Sequence, residues 1–147
     1  VIDETLSFIE DQLKRKKIHV KKRYAPDLPK IIIDSNQMKQ VFINLFMNAI
    51  ESMKDGGILG IRTERTRDEN NQLFVKIVVS DTGEGIPEDK LNRLFDPFFT
   101  TKAAEKNTGL GLSITKGIID KHHGTIGIES EPGRGTRVTV SLPADLV

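Results

Sequence analysis

This sequence of 147 residues contains no cysteine. The absence excludes disulfide bonds, thiolate catalysis and cysteine-ligated zinc sites within the chain. The sequence also lacks any apolar run near the ~20 residues that a membrane-spanning helix needs, so we expect no direct membrane contact. Basic and acidic residues nearly balance, at 22 and 21, whereas a dedicated nucleic-acid-binding domain carries a strong basic excess. Nucleic acid is therefore not an expected partner.

The start of the chain lacks both an initiator methionine and the basic and apolar segments of a signal peptide. We therefore expect this sequence to be a piece of a longer protein. Its length is that of one ordinary domain with a real core. Two basic runs, Lys14–Lys17 and Lys21–Arg23, are interpreted as a solvated face, with a docking surface for another domain as the alternative.

Apolar periodicity and turn residues predict the secondary structure. Helices are expected at residues 2–15, 36–53, 88–95 and 110–122, with Asp34 or Ser35 capping the second. Strands are expected at residues 18–24, 31–33, 58–66, 73–80, 125–130 and 136–142. Together, these helices and strands predict an α/β two-layer sandwich, in which a mixed, mainly antiparallel sheet of about five strands is covered on one face by about three main helices.

The first motif that carries chemistry lies on the long second helix. Gln40, Asn44 and Asn48 are four residues apart and so share one helix face, offset from the apolar stripe. Their carboxamides can offer oxygens to Mg²⁺, which accepts a few protein oxygens together with phosphate and water, and Asn48 is the predicted metal ligand. Taken alone, this pattern is equally typical of an exposed amphipathic helix.

The second motif follows the apolar strand at residues 73–80. Asp81 can accept a hydrogen bond from an exocyclic amino group, and Gly83 and Gly85 allow the backbone to approach a flat ring closely. An ordinary strand-to-helix turn would use the same residue types.

The third motif, Thr108 to Ser113, opens a helix with Gly109, Leu110, Gly111 and Leu112. Free backbone N–H groups and the positive end of the helix dipole favour phosphate there, although a simple helix cap is the alternative. The segment is neither a Walker A loop, because the Gly-Lys-Ser/Thr ending is missing, nor a Rossmann loop, because Ile114 stands at the position of the third glycine. The fourth motif is Gly133-Arg134-Gly135-Thr136. All four in this order indicate a nucleotide pocket.

Over nearly its whole length the chain resembles the Bergerat-fold (GHKL-type) ATP-binding domain shared by sensor histidine kinases, gyrase, Hsp90 and MutL. Residues 94–102, Leu-Phe-Asp-Pro-Phe-Phe-Thr-Thr-Lys, are similar to the F box of histidine kinases. The versions of the motifs at residues 48–53 and 98–102 are most similar to those of the sporulation and nitrogen-regulatory sensor kinases.

The resemblance implies ATP and Mg²⁺ as cofactors. It implies that Asn48 binds the metal, Asp81 reads the adenine amino group and Thr136 supports adenine through water, while Asn44 and Lys102 act at the phosphates as the catalytic residues. The implied ATP-binding set is Asn44, Asn48, Asp81, Gly83, Gly85, Ile86, Phe95, Thr101, Lys102, Thr108, Gly109, Leu110, Gly111, Leu112 and Thr136. Many family members carry a basic residue at the position of Glu51, so we expect Lys102 or Lys106 to replace that phosphate contact.

The residue at position 44 separates the possible mechanisms. Gyrase-like clamps resemble water-activating ATPases with a glutamate there, and the serine kinases that act as anti-sigma factors also use a carboxylate. Asn44 is too weakly basic to take a proton from water. The sequence therefore favours phosphoryl transfer to a histidine over a conformational-clamp ATPase or an anti-sigma serine kinase. A degenerate domain that binds no nucleotide is a further alternative.

None of the three histidines, His19, His122 and His123, stands in the His-Glu/Asp-x-x-Pro context of a phosphoacceptor. The acceptor is therefore expected on a dimerisation domain outside this chain. Residues 1–16 are expected to be a helical link to that domain, residues 17–147 the catalytic domain, and residues 96–108 an ATP lid. The resemblance further implies a homodimeric parent, a downstream response regulator and a cytoplasmic position for this domain, with the parent either cytoplasmic or anchored in the cell membrane.

Overall fold

The computed structural model describes residues 1–91 and 111–144, except for the side chains of residues 88 and 90. The described helices are α1 (Ile2–Phe8), α2 (Glu10–Arg15), α3 (Ser35–Ser52), α4 (Glu88–Leu91) and α5 (Gly111–Lys121). The described strands are β1 (Ile18–Arg23), β2 (Gly57–Arg67), β3 (Leu73–Asp81), β4 (Thr125–Glu131) and β5 (Gly135–Pro143). Among these helices, none has the length and apolarity that crossing a bilayer requires.

The five strands form one mixed sheet in the order β1-β2-β3-β5-β4. β1 runs parallel to β2, and α3 lies between them in the chain as the crossover; the other neighbouring pairs are antiparallel. β3 is the central strand, as its continuous apolar sequence predicts. The predicted fold class is therefore confirmed.

The helices pack on one face of the sheet. The strand residues in the core cluster alternate along their strands, as in Val75, Ile77 and Val79 of β3, so they all point toward the helix layer. The apolar stripe of α3 supplies the other half of this core: Met38, Val41, Phe42, Leu45, Phe46, Ala49 and Ile50 are all buried. Asp34 caps α3, since its Oδ1 accepts a hydrogen bond from the Gln37 N–H at 3.0 Å.

The strand predicted at residues 31–33 is wrong. In the described part of the chain Ile31 to Ile33 form no ladder, and β1 pairs with β2. Ile31 and Ile33 pack partly against the core while Ile32 is 81% exposed. Three β-branched residues favour an extended backbone. A strand also needs a partner, and this segment instead leads directly into α3.

The single helix predicted for residues 2–15 divides into α1 and α2 at Ile9, whose ψ of 9° departs from helical geometry. Leu6, Ile9 and Leu13 nevertheless join the main core. The Tyr24 hydroxyl at the end of β1 donates to Asp3 Oδ1 at 2.8 Å, and Lys22 Nζ lies 3.2 Å from the same oxygen. These contacts hold the pKa of Asp3 below its usual value, whereas burial and the bond to Asp3 raise the pKa of Tyr24.

Candidate nucleotide site

The candidate site begins where β3 ends. Asp81, the last residue of β3, lies opposite Thr136 of β5 in the strand register. Directly opposed residues of an antiparallel pair point to the same face. Val79 and Val138 form the pair two residues away, which points to the same face and belongs to the core, so Asp81 and Thr136 also face the helix layer. The structure thus brings together two predicted adenine contacts that are 55 positions apart in the sequence.

The Asp81 carboxylate is oriented by its own turn. Its Oδ1 accepts a hydrogen bond from the Gly83 N–H at 2.9 Å, and the following Glu84 N–H donates to the Ser52 carbonyl at 3.2 Å. Ser52 is the last residue of α3, so the turn is attached to the carboxyl end of that helix. One carboxylate oxygen is therefore used to shape the turn, and the group is only partly buried.

The glycines of this turn fit tightly against neighbouring protein atoms. A Cβ on Gly83 would lie 2.3 Å from Ser52 Oγ, and one on Gly85, whose φ is +77°, would lie 2.1 Å from the Glu131 carbonyl oxygen. Gly135, with φ +105°, approaches the Asp81 carbonyl oxygen in the same way, with a Cβ distance of 2.1 Å. Close packing therefore explains these three glycines, and the predicted approach of Gly83 and Gly85 to a flat ring stays a prediction.

A serine joins the turn to the hairpin of β4 and β5. The Ser130 hydroxyl accepts from the Ile86 N–H at 2.7 Å, donates to the Gly135 carbonyl at 3.0 Å, and lies 2.9 Å from Thr136 Oγ1. A hydroxyl has one hydrogen, so Thr136 is the donor of the last bond and keeps lone pairs as acceptors. The Gly133 N–H adds a bond to the Glu84 carbonyl at 2.7 Å. The residues around Asp81 and Thr136 thus form one connected unit.

The amide face of α3 lies against the start of α5. Asn44 Nδ2 donates to the Gly111 carbonyl and to Thr115 Oγ1, each at 3.2 Å, and Gln40 Nε2 donates to Asn44 Oδ1 at 3.1 Å. Thr115, which is fully buried, also donates to the Gly111 carbonyl at 2.8 Å. Asn44 is therefore fixed at both ends of its carboxamide, and Asn48 lies one turn further along the same face.

The long helix α3 connects the two ends of the site. Ser52 touches the Asp81 turn, and Asn44 touches the first residue of α5. Eight residues of helix separate them, which is a span of about 12 Å at ~1.5 Å per residue. Asn48 lies midway along this span.

Two residues of the site escaped the sequence analysis. Thr115 belongs to none of the four motifs, and its position four residues after Gly111 on the same helix face was the signal that it could contact that residue. Ser130 had no signal at all, because its contacts join segments that are distant in sequence. Among the predicted site residues, Phe95, Thr101, Lys102, Thr108, Gly109 and Leu110 lie outside the described residues, as does the proposed lid at residues 96–108.

His122 has a structural role. Its Nε2 accepts from the Asp34 N–H at 3.0 Å and its Nδ1 lies 2.8 Å from the Ile118 carbonyl, which fixes the tautomer with the proton on Nδ1. The ring thus ties the end of α5 to the N-cap of α3. Both ring nitrogens are therefore engaged within the domain.

The residues present suit a metal ion that arrives with phosphate. Among residues 1–91 and 111–144, no group of three or more His, Asp or Glu side chains is placed to hold a cation by itself. The carboxamide of Asn48 is the kind of neutral oxygen donor that Mg²⁺ accepts when phosphate and water complete its shell.

Comparison with known proteins places this architecture in a class. The family described as histidine kinase-, DNA gyrase B-, and HSP90-like ATPases matches residues 33–146. The chain therefore belongs to this family of ATP-binding domains.

The relatives show that, within this family, the chain is a histidine kinase catalytic domain. The chain is 46% identical to sporulation kinase A of Bacillus subtilis (strain 168) over 97% of its length, and it spans only 22% of that kinase. The solved catalytic domain of the histidine kinase ThkA superposes with a TM-score of 0.83 at 33% identity, covering 97% of this chain and 89% of that one. ThkA solved in complex with the response regulator protein TrrA matches with a TM-score of 0.79 at 32% identity, covering 98% of this chain and 39% of that one.

Proposed function

We propose that this domain binds Mg-ATP between α3 and the ends of β3 and β5, and transfers the γ-phosphoryl group to a histidine on a separate dimerisation domain of its parent protein. The observation that carries the proposal is the path along α3 from the Asp81 turn to the start of α5, with Asn48 and Asn44 on the face between them.

At the adenine end, Asp81 accepts a hydrogen bond from the exocyclic amino group through its oxygen that does not bind Gly83. Thr136 acts through a water molecule, for which its free lone pairs are suited. Ile86 covers the ring together with Gly83 and Gly85. The turn is already held by Ser52 and Ser130, so little ordering is needed when the base binds.

At the phosphate end, the start of α5 at Gly111 and Leu112, with Thr108, Gly109 and Leu110 before it, presents backbone N–H groups to the phosphate oxygens. Asn48 contributes its oxygen to Mg²⁺, and Asn44 lies beside the phosphates. Phe95, Thr101 and Lys102 complete the ATP contacts in the proposal, with Lys102 at the terminal phosphate. The bound metal would supply neutralisation of the phosphate charge.

The chemical step needs no base from this domain. The neutral imidazole nitrogen of the acceptor attacks the γ-phosphorus, the bond to the β,γ-bridging oxygen breaks, and ADP leaves with that electron pair; the imidazole proton passes to a group on the acceptor domain or to solvent. Asn44 is an amide held by Gln40, Gly111 and Thr115, so it cannot activate water. This is why transfer is preferred to hydrolysis.

The proposed partners follow from the same step. They are the dimerisation and phosphoacceptor domain of the parent, present as a homodimer, and a response regulator that receives the phosphoryl group, as the ThkA complex with TrrA suggests. The domain is proposed to be cytoplasmic, where ATP is available, with residues 1–16 as the link to the acceptor domain.

The decisive experiment incubates the chain with Mg-ATP labelled at the γ-phosphate, with and without the parent's acceptor domain. We expect the chain alone to bind ATP and ADP in a calorimetric titration and to remain unlabelled, and the acceptor histidine to be labelled when both domains are present. Labelling of His19, His122 or His123 would contradict the proposal. Phosphate release by the chain alone that is well above background and is lost in Asn44→Ala would favour a clamp ATPase instead.

A further inference from the structure

The face of the sheet opposite the helices carries a basic groove. On this face the described strands bring together exposed cations from three different strands: Lys21 and Arg23 of β1, Arg62 of β2 and Arg137 of β5. They line a shallow groove of about 550 Å³, whose remaining surface includes Gly60, Val78 and Ser80. The groove lies on the opposite side of the sheet from Asp81 and Thr136, so it is separate from the nucleotide site.

The register gives the groove its shape. Lys21, Gly60, Ser80 and Arg137 are consecutive partners across four strands, so two small residues form the floor between two long basic ones. Neighbouring strands are about 4.8 Å apart, so three spacings place the backbones of Lys21 and Arg137 at opposite sides, about 14 Å apart. A Cβ at Gly60 would lie 2.5 Å from Ser80 Oγ, so any larger residue there would displace that hydroxyl and fill part of the floor.

These four cations form no short ion pair within the described part of the chain, although the exposed Glu129 of β4 is the strand partner of Arg137. Other cations of β2 and β3 do form ion pairs: Lys76 Nζ lies 3.5 Å from Glu64, and Arg65 Nη1 lies 3.7 Å from Asp27. None of Lys21, Arg23, Arg62 and Arg137 forms an ion pair with another described residue. Since the whole chain has a net charge of +1, this face concentrates positive charge that the composition does not reveal.

We propose that this groove docks an acidic α-helix of a partner protein domain. A helix with its side chains is about 10–12 Å across, which suits the separation of the two basic sides, whereas a single phosphate group cannot reach both. Arginine binds carboxylates through two parallel hydrogen bonds, and three of the four cations are arginines. None of the described residues that line the groove is aromatic, so they offer no stacking surface of the kind with which proteins hold single-stranded nucleic acid.

The test uses a defined probe. The probe is an Ala-rich peptide of about 16 residues, long enough to be helical, that carries glutamates along one face. It is titrated into the protein while the backbone amide chemical shifts of the protein are recorded. The largest shifts are expected at Gly60, Ser80 and Arg137. The double variant Arg62→Gln, Arg137→Gln should weaken binding about fivefold or more, as expected for loss of two exposed ion pairs.

The matched control is Lys14→Gln, Arg15→Gln, which removes the same charge from the exposed face of α2 and should leave peptide binding unchanged. A peptide of the same length with glutamine in place of glutamate should not bind. The proposal would be overturned if both double variants weakened peptide binding equally. It would also be overturned if a single-stranded DNA oligomer or inorganic phosphate produced the same chemical-shift changes at lower concentration than the peptide. ATP affinity is measured in each variant and should not change, so this outcome is independent of the proposed kinase activity.

Discussion

The two faces of the sheet use polar side chains in opposite ways. On the face covered by helices, polar groups bind one another: Asn44 bonds to Thr115, and Ser130 bonds to Thr136. On the open face, Arg62 and Arg137 have no ion-pair partner among the described residues. The first arrangement fixes side chains in position before a ligand binds, and the second leaves charge available to solvent or a partner. Substitutions should therefore affect stability and nucleotide binding on the first face, and external interactions on the second.

The largest difference between the faces is expected for alanine at two glycines. Gly135→Ala places a Cβ against the Asp81 carbonyl at a φ of +105°, so we expect the free energy of unfolding to fall by more than about 3 kcal/mol. Gly127→Ala, in β4 on the open face, meets no atom within 4 Å and should change it by less than about 0.5 kcal/mol. Urea unfolding measures both. If both substitutions lowered the free energy of unfolding by similar amounts, the contrast between the two faces would be contradicted. If Gly135→Ala alone failed to fold, the result would agree with the contrast.

The next effect concerns nucleotide affinity. Asp81→Asn keeps an oxygen for the Gly83 N–H but replaces the other acceptor oxygen with a donor, so ATP binding should weaken by about 1–3 kcal/mol. Isothermal titration with Mg-ATP is the measurement, and Asp120→Asn, an exposed carboxylate on α5 paired with Lys116, is the control. An unchanged ATP affinity in Asp81→Asn would remove this residue from the site.

A smaller effect is expected inside the α3–α5 contact. Thr115→Val keeps the volume but removes the hydroxyl that binds Asn44 and Gly111, so the free energy of unfolding should fall by about 1–2 kcal/mol. The Asn44 carboxamide would also lose one of its fixed contacts, so phosphoryl transfer to the acceptor domain should slow more than ATP binding weakens. Thr139→Val on the open face is the control for the same chemical change. If Thr139→Val lowered the free energy of unfolding as much as Thr115→Val, the hydrogen bonds of Thr115 would have no special role.

The smallest effect should follow charge removal on the open face. Arg62→Gln combined with Arg137→Gln should alter the free energy of unfolding by no more than about 0.5 kcal/mol, because these exposed side chains have no described ion-pair partner to lose. Thermal unfolding and Mg-ATP titration check this expectation. A marked loss of stability would show that these arginines hold the sheet together, and the contrast between the faces would then fail.

Local patterns in the sequence predicted most of the fold. The inward stripe of α3 and the apolar run of β3 depend on the period of each element, which neighbouring residues determine. The error at Ile31 to Ile33 shows the limit, since those residues favour an extended backbone but only a partner strand makes a ladder. Which strand lies beside β1 depends on the α3 crossover, and that is a property of the whole chain.

In the candidate site, too, some features could be predicted from local sequence and others depend on the fold. Asp81, Asn44, Asn48 and the glycine motifs were predicted from residue type and order. The reason for Gly85 was not, because its close contact is with Glu131, 46 positions away. The Ser130 bonds to Ile86 and Thr136 likewise have no local signal.

The sequence by itself determined the chemistry that this domain can perform. An amide instead of a carboxylate at position 44 limits proton abstraction from water in any folded arrangement, because basicity belongs to the side chain. Tertiary structure alone decided which residues meet: Asp81 with Thr136, Asn44 with Thr115, and the four cations on the open face. Strand register and helix packing determine which of these residues come into contact. Both depend on interactions between distant segments that only the complete fold brings together.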